Sequence, residues 1–193
     1  IYIMKLELER QNFLKAWQIA EKFASTKTTK ESISGILITA SEDNSVTLEA
    51  TDLKTSVKCT AEGANVLEPG IALAPAFLLG NLMKKADADD IILDFHDKRG
   101  MLFAGSNKTR FPIIPVEEFP KIPVSESAEN ICEIQASDIA RLITEGSCAA
   151  SQPQDFPKYM GTCLLRTEDA YIKAVSTDGK RLAISKCICT MFT

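Results

Sequence analysis

Hydrophobic and polar positions follow two periods along this chain, and each period predicts one kind of element. Apolar residues that alternate with polar ones predict half-buried strands, whereas apolar residues three or four positions apart predict helices. The apolar stripes that two helices are expected to bury are Phe13, Trp17, Ala20 and Ala24 in the first and Leu78, Leu79, Leu82 and Ala86 in the second. The predicted order is a strand at 5–9, a helix at 12–24, strands at 35–40 and 46–50, a strand after Asp52, a helix at 76–86, strands at 91–95 and 101–104, and an extended segment at 109–115.

The same order of elements recurs after 126 residues when the chain is aligned with itself without gaps. Nine positions are identical in this alignment, and the pair Thr51-Asp52 falls on Thr177-Asp178. Asn12 and Asp138 occupy equivalent positions where a helix N-cap is expected. The second group is predicted to hold a strand at 131–135, a helix at 138–150, strands at 161–166 and 171–175, and a strand after Asp178.

Residues 115–127 are rich in proline and polar side chains, a composition typical of a linker. We therefore expect a first domain at 4–126 and a shortened second domain at 127–193, both with an α+β fold of antiparallel sheets and packed helices. The second repeat stops at Thr193, where the first continues. We therefore expect unpaired strand edges, with poor stability or association through those edges.

Composition narrows the class of protein. Of 193 residues, 45% are hydrophobic and 25% are charged, which is ordinary for a globular protein and excludes a disordered or fibrous one. No apolar segment has the length that spans a bilayer, and no signal segment opens the chain, so a cytoplasmic location without membrane contact is expected. The net charge of -4 gives no overall attraction to nucleic acid.

Basic residues nevertheless cluster on the outward faces of the predicted helices. Residues 11–30 hold four lysines against the single acid Glu21. The outward positions are Lys15, Gln18 and Lys22 in the first helix, Asn81, Lys84 and Lys85 in the second, and the barely basic set Arg141, Thr144 and Cys148 in the repeat. These are either ordinary solvated faces or contacts for phosphate groups, which need only Lys or Arg spaced along a face. The recurrence of the stripe favours phosphate contact.

Cysteine and histidine positions argue against metal and nucleophile chemistry. The six cysteines include no C-x-x-C pair, and Cys187-x-Cys189 alone is a weak metal signal, so buried thiols are expected. The single histidine, His96, is expected in a solvated turn with no nucleophile motif nearby. Glycine-rich phosphate loops are missing from the sequence. We therefore assign no catalytic residue, metal or cofactor.

Three segments, taken together in their order and spacing, resemble the family of bacterial sliding clamps, the beta subunits of DNA polymerase III. They are Ala50–Lys54, Ser106–Phe111 with Glu118-Phe119-Pro120, and Ser176–Ala183. The last segment, Thr-Asp-Gly-Lys-Arg-Leu-Ala from Thr177, is the most specific. Met4-Lys5-Leu6 resembles the start of the family, so residues 1–3 are expected to be additions ahead of it. The resemblance extends as far as Ser185.

This resemblance implies a DNA-clamp fold and a non-enzymatic function. Family members are ring-shaped homodimers of three-domain crescents around double-stranded DNA, with helices lining the pore and sheets outside. They act as processivity factors whose weak, salt-sensitive contacts let the ring slide. The implied partners are DNA polymerase III, its clamp loader, and mismatch-repair and translesion proteins, each docking a short peptide between the second and third domains. Without a third domain, this chain alone is not expected to close the usual ring.

Carried over position by position, the resemblance gives three sets of candidate residues. The DNA-binding set is Lys15, Lys22, Lys27, Lys84, Lys85, Arg141, Gln152 and Lys158. The second-domain half of the partner-peptide pocket is Tyr159, Thr177, Gly179, Lys180, Arg181 and Leu182. The ring-closing interface is Arg110 and Phe111. Pro157 and Lys158 stand where the family places aromatic residues, which argues against base stacking by the loop at 152–159.

Two other functions remain open at this point. A clamp-fold scaffold would bind proteins without binding DNA, and the barely basic helix of Arg141 favours it. A small-molecule enzyme would use Asp52 or Asp178. The recurrence of Thr-Asp in both units instead favours a structural turn, because active sites are seldom duplicated within one chain.

Overall fold

The computed structural model describes residues 3–26, 30–96, 98–122, 132–151, 157–168 and 170–191. Contacts divide the chain into two units, Ile1–Val124 and Ser125–Thr193. The elements of the first unit are β1 (Ile3–Glu9), α1 (Arg10–Glu21), β2 (Gly35–Ala40), β3 (Val46–Thr51), β4 (Ser56–Thr60), β5 (Ala64–Glu68), β6 (Gly70–Pro75), α2 (Ala76–Lys84), β7 (Asp90–His96), β8 (Arg99–Ala104) and β9 (Asn107–Pro112). Short 3-10 helices lie at Glu31–Ser34 and Val116–Glu118.

Two antiparallel sheets carry the first unit, one in the order β5-β1-β7-β8-β9 and the other in the order β4-β3-β2-β6. The period of two in β1 places Met4, Leu6 and Leu8 fully inside the core, while the residues between them face outward. The antiparallel sheets with packed helices confirm the predicted α+β class.

Both helices of this unit pack into the same hydrophobic core. Phe13, Trp17, Ala20 and Ala24 are buried, as the sequence predicts. The predicted N-cap was wrong, because α1 begins at Arg10 and its N-cap is Glu9. Asn12 lies inside the first turn, where its side-chain amide donates a hydrogen bond to the Glu9 carboxylate across 2.8 Å.

Helix α2 is rotated relative to the prediction. Leu79 is buried as expected, but Leu78 is 42% exposed, so its inward assignment was wrong. Gly80 and Met83 take the inward positions instead. The reason is a close approach to α1, since a Cβ on Gly80 would lie 2.9 Å from the indole nitrogen of Trp17.

The sequence pattern did not predict β5 or β6. Each is held by tertiary pairing, β5 antiparallel to β1 and β6 antiparallel to β2. Pro69 alone separates the two strands, and the Pro69-Gly70 dipeptide gives the segment the local signature of a turn. The predicted extended segment at 109–115 ends earlier as a strand, at Pro112, and Ile114 makes only an isolated bridge to Leu73.

The elements of the second unit are β10 (Cys132–Glu133), α3 (Ala136–Gly146), a 3-10 helix at Lys158–Gly161, β11 (Leu164–Glu168), β12 (Tyr171–Thr177), β13 (Leu182–Ile188) and β14 (Thr190–Met191). Strands β11, β12 and β13 form one antiparallel sheet, and β10 pairs with β14. Helix α3 covers one face of that sheet with Leu142, which is fully buried beside Ile172 and Ala174.

The order of elements confirms the internal repeat. Helices α1 and α3 begin at Arg10 and Ala136, 126 residues apart, and in each unit a 3-10 helix and three consecutive strands follow. The predicted N-cap at Asp138 was wrong, because the helix begins two residues earlier and Gln135 is the N-cap. Asp138 lies in the first turn, where its negative charge interacts favourably with the helix dipole.

Candidate nucleic-acid and peptide interfaces

Helices α1 and α2 are fixed side by side, so their outward faces form one surface. The indole N–H of Trp17 donates a hydrogen bond to the carbonyl oxygen of Ala76 across 3.1 Å, and this contact is buried. Glu21 and Lys84, the last residues of α1 and α2, form an ion pair of 3.0 Å. We call this surface, with Lys15, Lys22, Lys84 and Lys85, the helix face.

Three of these lysines keep their charge uncompensated. Lys15, Lys22 and Lys85 are exposed, and in the ranges that the structure describes none of them makes an ion pair. The Lys15 ammonium donates only to the neutral side-chain oxygen of Asn12, across 2.9 Å. Lys22 and Lys85 are the C-caps of α1 and α2, where the negative end of the helix dipole stabilises a cation. The predicted outward direction of Lys84 and Lys85 is confirmed, although Glu21 neutralises Lys84.

The face of α3 is chemically different. Arg141 lies 3.6 Å from Asp138 and 3.2 Å from Glu145, so two carboxylates offset its single charge. The prediction that this helix is barely basic is confirmed. The two carboxylates reduce the positive charge that Arg141 offers to a phosphate.

Three further members of the predicted DNA-binding set lie in loops. Lys158 is exposed in the 3-10 helix at Lys158–Gly161. Lys27 and Gln152 lie outside the described residues, and their assignment stays a prediction.

The two Thr-Asp turns have the same hydrogen bonds. The Thr51 hydroxyl accepts a hydrogen bond from the backbone amide of Leu53 and donates one to the carbonyl oxygen of Thr55. The Asp52 carboxylate accepts hydrogen bonds from the backbone amides of Lys54 and Thr55. Thr177 and Asp178 repeat every one of these contacts with Gly179, Lys180 and Arg181. The Thr-Asp pair therefore recurs because its side chains hold the backbone of the turn in both units.

The Asp178 carboxylate is held in its ionised form. It accepts backbone hydrogen bonds from Arg181 and Lys180, and the Arg181 guanidinium adds a hydrogen bond of 3.0 Å and an ion pair of 2.9 Å. These contacts hold the pKa of Asp178 well below its ordinary value of 3.8. The backbone amides of Thr55 and Lys54 lower the pKa of Asp52 for the same reason.

Several residues of the predicted peptide pocket are at the surface near this turn. Tyr159 is 70% exposed and Leu182 is 64% exposed. Gly179 has a positive φ of 82°, and the methyl carbon of Met160 lies 3.9 Å from where its Cβ would be. Met160 therefore lines the same surface, although the sequence analysis did not name it. The one sequence signal for Met160 was its position next to Tyr159 in the chain.

The two predicted ring-interface residues point in opposite directions. Arg110 is exposed, whereas Phe111 is 2% exposed and packs edge-on against Phe95, with ring centroids 5.8 Å apart. Phe111 also covers Gly100, its partner across β8 and β9. Phe111 therefore belongs to the core, and its assignment as a surface contact was wrong. Strand alternation separates neighbouring residues in this way.

The cysteines and the histidine depart in part from the predictions. Cys187 and Cys189 are buried as expected, but Cys148 is exposed. Within the described ranges, His, Cys, Asp and Glu side chains form no group of three that would hold a metal ion. His96 is the last residue of β7, paired with Arg99, rather than a turn residue.

Of the helices that the structure describes, none is both long and apolar enough to cross a membrane.

Comparison with known proteins gives one consistent family. The family model described as DNA polymerase III beta subunit, N-terminal domain, matches residues 4–123. The beta sliding clamp of Caulobacter vibrioides is 29% identical over 191 residues, covering 95% of this chain and 50% of that protein. The beta sliding clamp of Pseudomonas aeruginosa is 27% identical over 183 residues, with 94% and 49% covered. The chain thus spans about half the length of the curated relatives it matches.

Solved structures agree with these relatives. A DNA polymerase sliding clamp from Caulobacter crescentus superposes with a TM-score of 0.80 at 27% identity, covering 97% of this chain and 51% of the other. A DNA polymerase sliding clamp from Bacillus subtilis gives a TM-score of 0.84 at 21% identity, with 97% and 50% covered, which shows the shared fold. The predicted clamp fold is confirmed.

Proposed function

Because the chain belongs to the DNA polymerase III beta subunit family, whose N-terminal-domain model matches residues 4–123, we propose that it is part of a sliding clamp. In this proposal it is a non-catalytic processivity factor that encircles duplex DNA and tethers the replicative polymerase in the cytoplasm. Residues 4–126 are its first clamp domain, and residues 127–193 begin the second. Ring closure by a homodimer, with Arg110 at the closing edge, belongs to the same proposal.

The observation that carries the proposal is the helix face. Lys15, Lys22 and Lys85 present three uncompensated positive charges on two helices that Trp17 locks together. Phosphate contacts of this kind need charge and spacing but no base recognition, which suits a protein that moves along DNA. Lys84 would contact DNA when its ion pair with Glu21 opens. Lys27, Lys158 and Gln152 are proposed to contact DNA from loops.

Partner proteins are proposed to dock a short peptide on the second unit. The polymerase, the clamp loader and other clamp-binding proteins would use the surface formed by Tyr159, Thr177, Gly179, Lys180, Arg181 and Leu182. The exposure of Tyr159 and Leu182 supports this, because apolar side chains at the surface offer walls to an apolar peptide. Gly179, with its positive φ and no side chain, leaves the backbone open.

A duplex-binding measurement tests the proposal. Fluorescence anisotropy of a labelled DNA duplex, titrated with the protein at several salt concentrations, should show weak binding whose affinity falls steeply with salt. Two duplexes of unrelated sequence should bind equally. An affinity independent of salt, or no binding at the lowest salt, would contradict DNA contact through the helix face.

A second candidate is a clamp-fold scaffold that binds proteins but not DNA. The neutralised Arg141 on α3 favours it, because that helix offers no free cation among its described residues. Peptide binding without any salt-sensitive DNA binding would select this function.

A further inference from the structure

Three of the six cysteines lie together in the second unit. Cys187 and Cys189 are buried in its hydrophobic core, and Cys132 is half-buried and packs against the same core. They come from two separate parts of the chain, the strand before α3 and the segment from the end of β13 to β14. Folding therefore brings thiols that are distant in sequence into one cluster.

The repeated fold does not require sulfur at these positions. The equivalent positions of the first unit, 126 residues earlier, hold Leu6, Ala61 and Gly63. In that unit β1 pairs with β5, and in the second unit β10 pairs with β14 at the corresponding place. Because the same framework is built without cysteine, the thiols add a chemical property to the second unit rather than a structural one.

Strand pairing places Cys132 beside Cys189. Cys132 of β10 pairs with Met191 of β14, and Cys189 precedes Met191 by two residues, so the two cysteines are diagonal neighbours across the strand pair. The backbone amide of Cys189 donates a hydrogen bond to the carbonyl oxygen of Ala170 across 2.9 Å, which fixes the chain at this point. Burial, and then the charge and the hydrogen bond of the Cys132 thiol, raise the pKa of the Cys189 thiol. The two sulfur atoms are therefore close enough to interact.

Cys187 is the less suitable partner for Cys132. It lies on β13, where it pairs with Ile172. Burial is the main cause that raises the pKa of its thiol, and Cys132 acts on it through charge, whereas Cys132 acts on Cys189 through charge and a hydrogen bond. The arrangement favours a bond between Cys132 and Cys189.

We propose that Cys132 and Cys189 form a reversible intramolecular disulfide when the protein meets a peroxide. Cys132 is the more exposed of the two, so its thiolate attacks the peroxide. A sulfur–oxygen bond forms, the oxygen–oxygen bond breaks, and hydroxide leaves and takes up a proton as water. The Cys189 sulfur then attacks the Cys132 sulfenic acid, a sulfur–sulfur bond forms, and the sulfenic oxygen leaves as a second water. The peroxide accepts both electrons, and a thiol reductant reverses the reaction by exchange.

The disulfide would join the first and the last strand that the structure describes in the second unit. Strands β10 and β14 are paired through two residues each. The loop that the bond closes contains α3, β11, β12 and β13. A crosslink across such a long loop restricts the unfolded chain, so the oxidised protein should resist denaturation better than the reduced protein. This proposal depends on neither DNA binding nor peptide binding.

Peptide mapping by mass spectrometry tests the proposal. The full chain is treated with hydrogen peroxide at a protein concentration low enough to disfavour crosslinks between molecules. Remaining thiols are blocked with N-ethylmaleimide, and the protein is digested without reductant. The peptides that contain Cys132 and Cys189 should be linked, and dithiothreitol should separate them. Cys148→Ser is the matched control, because Cys148 is exposed and would be the main site of oxidation if exposure alone decided.

We expect the link in the unmodified protein and in Cys148→Ser, and its loss in Cys132→Ser and in Cys189→Ser. Cys187→Ser should keep the link, which separates two cysteines that share one tryptic peptide after Lys186. Peroxide should raise the urea midpoint only of proteins that retain both Cys132 and Cys189.

Three results would overturn the proposal: a link from Cys132 to Cys187, a link between two molecules, or oxidation of Cys132 without any link. The map of the unmodified protein distinguishes these results even where a serine in the core prevents a variant from folding.

Discussion

The Thr177 hydroxyl donates a hydrogen bond to the carbonyl oxygen of Arg181 across 2.6 Å, and one repeat earlier Thr51 makes the same contact with Thr55 across 2.8 Å. In both turns the residue after Thr-Asp has a positive φ, 72° at Leu53 and 82° at Gly179. The pair thus holds the backbone at the same connection of each repeat, between β3 and β4 and between β12 and β13. That role accounts for both aspartates without enzyme chemistry.

Replacing Asp178 by Asn should make stability less dependent on acid pH. The folded pKa of Asp178 lies below its ordinary value of 3.8, chiefly because the amides of Arg181 and Lys180 bind the carboxylate. Its stabilising contribution is therefore complete above that ordinary pKa and is lost as the pH falls toward the folded pKa. Urea denaturation of Asp178→Asn should show lower stability at pH 7 and a shallower decline in acid.

The control for this pH series is Glu133→Gln. Glu133 is exposed and makes no ion pair within the described residues. This variant should follow the unmodified protein at every pH. If Asp178→Asn also followed it, the turn would not depend on the ionised carboxylate.

Replacing Leu53 by Gly should stabilise the first unit. Leu53 is 62% exposed and holds a φ of 72°, so its side chain gains little burial and costs backbone strain. Removing the side chain relieves the strain, and after the entropy cost of glycine a net gain of about 0.5 kcal/mol is expected. Gly179→Leu should have the opposite sign in the second unit. Urea midpoints measure both, and a loss of stability in Leu53→Gly would show that the turn is not strained.

Replacing Gly100 by Ala should destabilise the first unit strongly. The Phe111 ring occupies the space above Gly100, so an added methyl group must displace an aromatic ring that is also packed on Phe95. Overpacking of this kind costs about 1–3 kcal/mol. The measurement is again urea denaturation. Thr109→Ala on the adjacent strand β9 is the control, and an equal loss in both variants would contradict the packing argument.

Replacing Glu21 by Gln should strengthen DNA binding. The change frees Lys84, now paired across 3.0 Å, and removes the acid from the helix face. One additional phosphate contact steepens the dependence of log affinity on log salt by about 0.9. Glu62→Gln, an exposed acid in the turn before β5, provides the same change of net charge elsewhere. Anisotropy at several salt concentrations distinguishes them, and equal effects would indicate a response to net charge alone.

Periodicity predicted the parts of the fold that depend on local pattern. The strand at Gly35–Ala40 matches its predicted bounds, and the buried stripe from Phe13 to Ala24 follows from helical spacing alone. Strand β6 was missed because its partner, β2, is distant in sequence and its first residue follows a proline. The rotation of α2 depends on Trp17 meeting Gly80, which no local pattern records.

The candidate site was predictable in position but not in charge state. Spacing placed Lys15, Lys22 and Lys85 outward, and they are exposed. The neutralisation of Lys84 depends on Glu21, 63 residues away in sequence. The pairing of Leu164 and Ile184 with Val175 likewise depends on the register of three strands, so these residues are neighbours only in the folded sheet.

The most direct test of the account is the salt dependence of duplex binding by Lys15→Glu/Lys22→Glu, measured beside Lys54→Glu/Lys121→Glu. Both double variants change the net charge equally, and Lys54 and Lys121 are exposed outside the helix face. Only the first pair should weaken DNA binding, with a salt slope shallower by about 2. Equal loss in both variants, or unchanged binding in the first, would contradict DNA contact through the helix face.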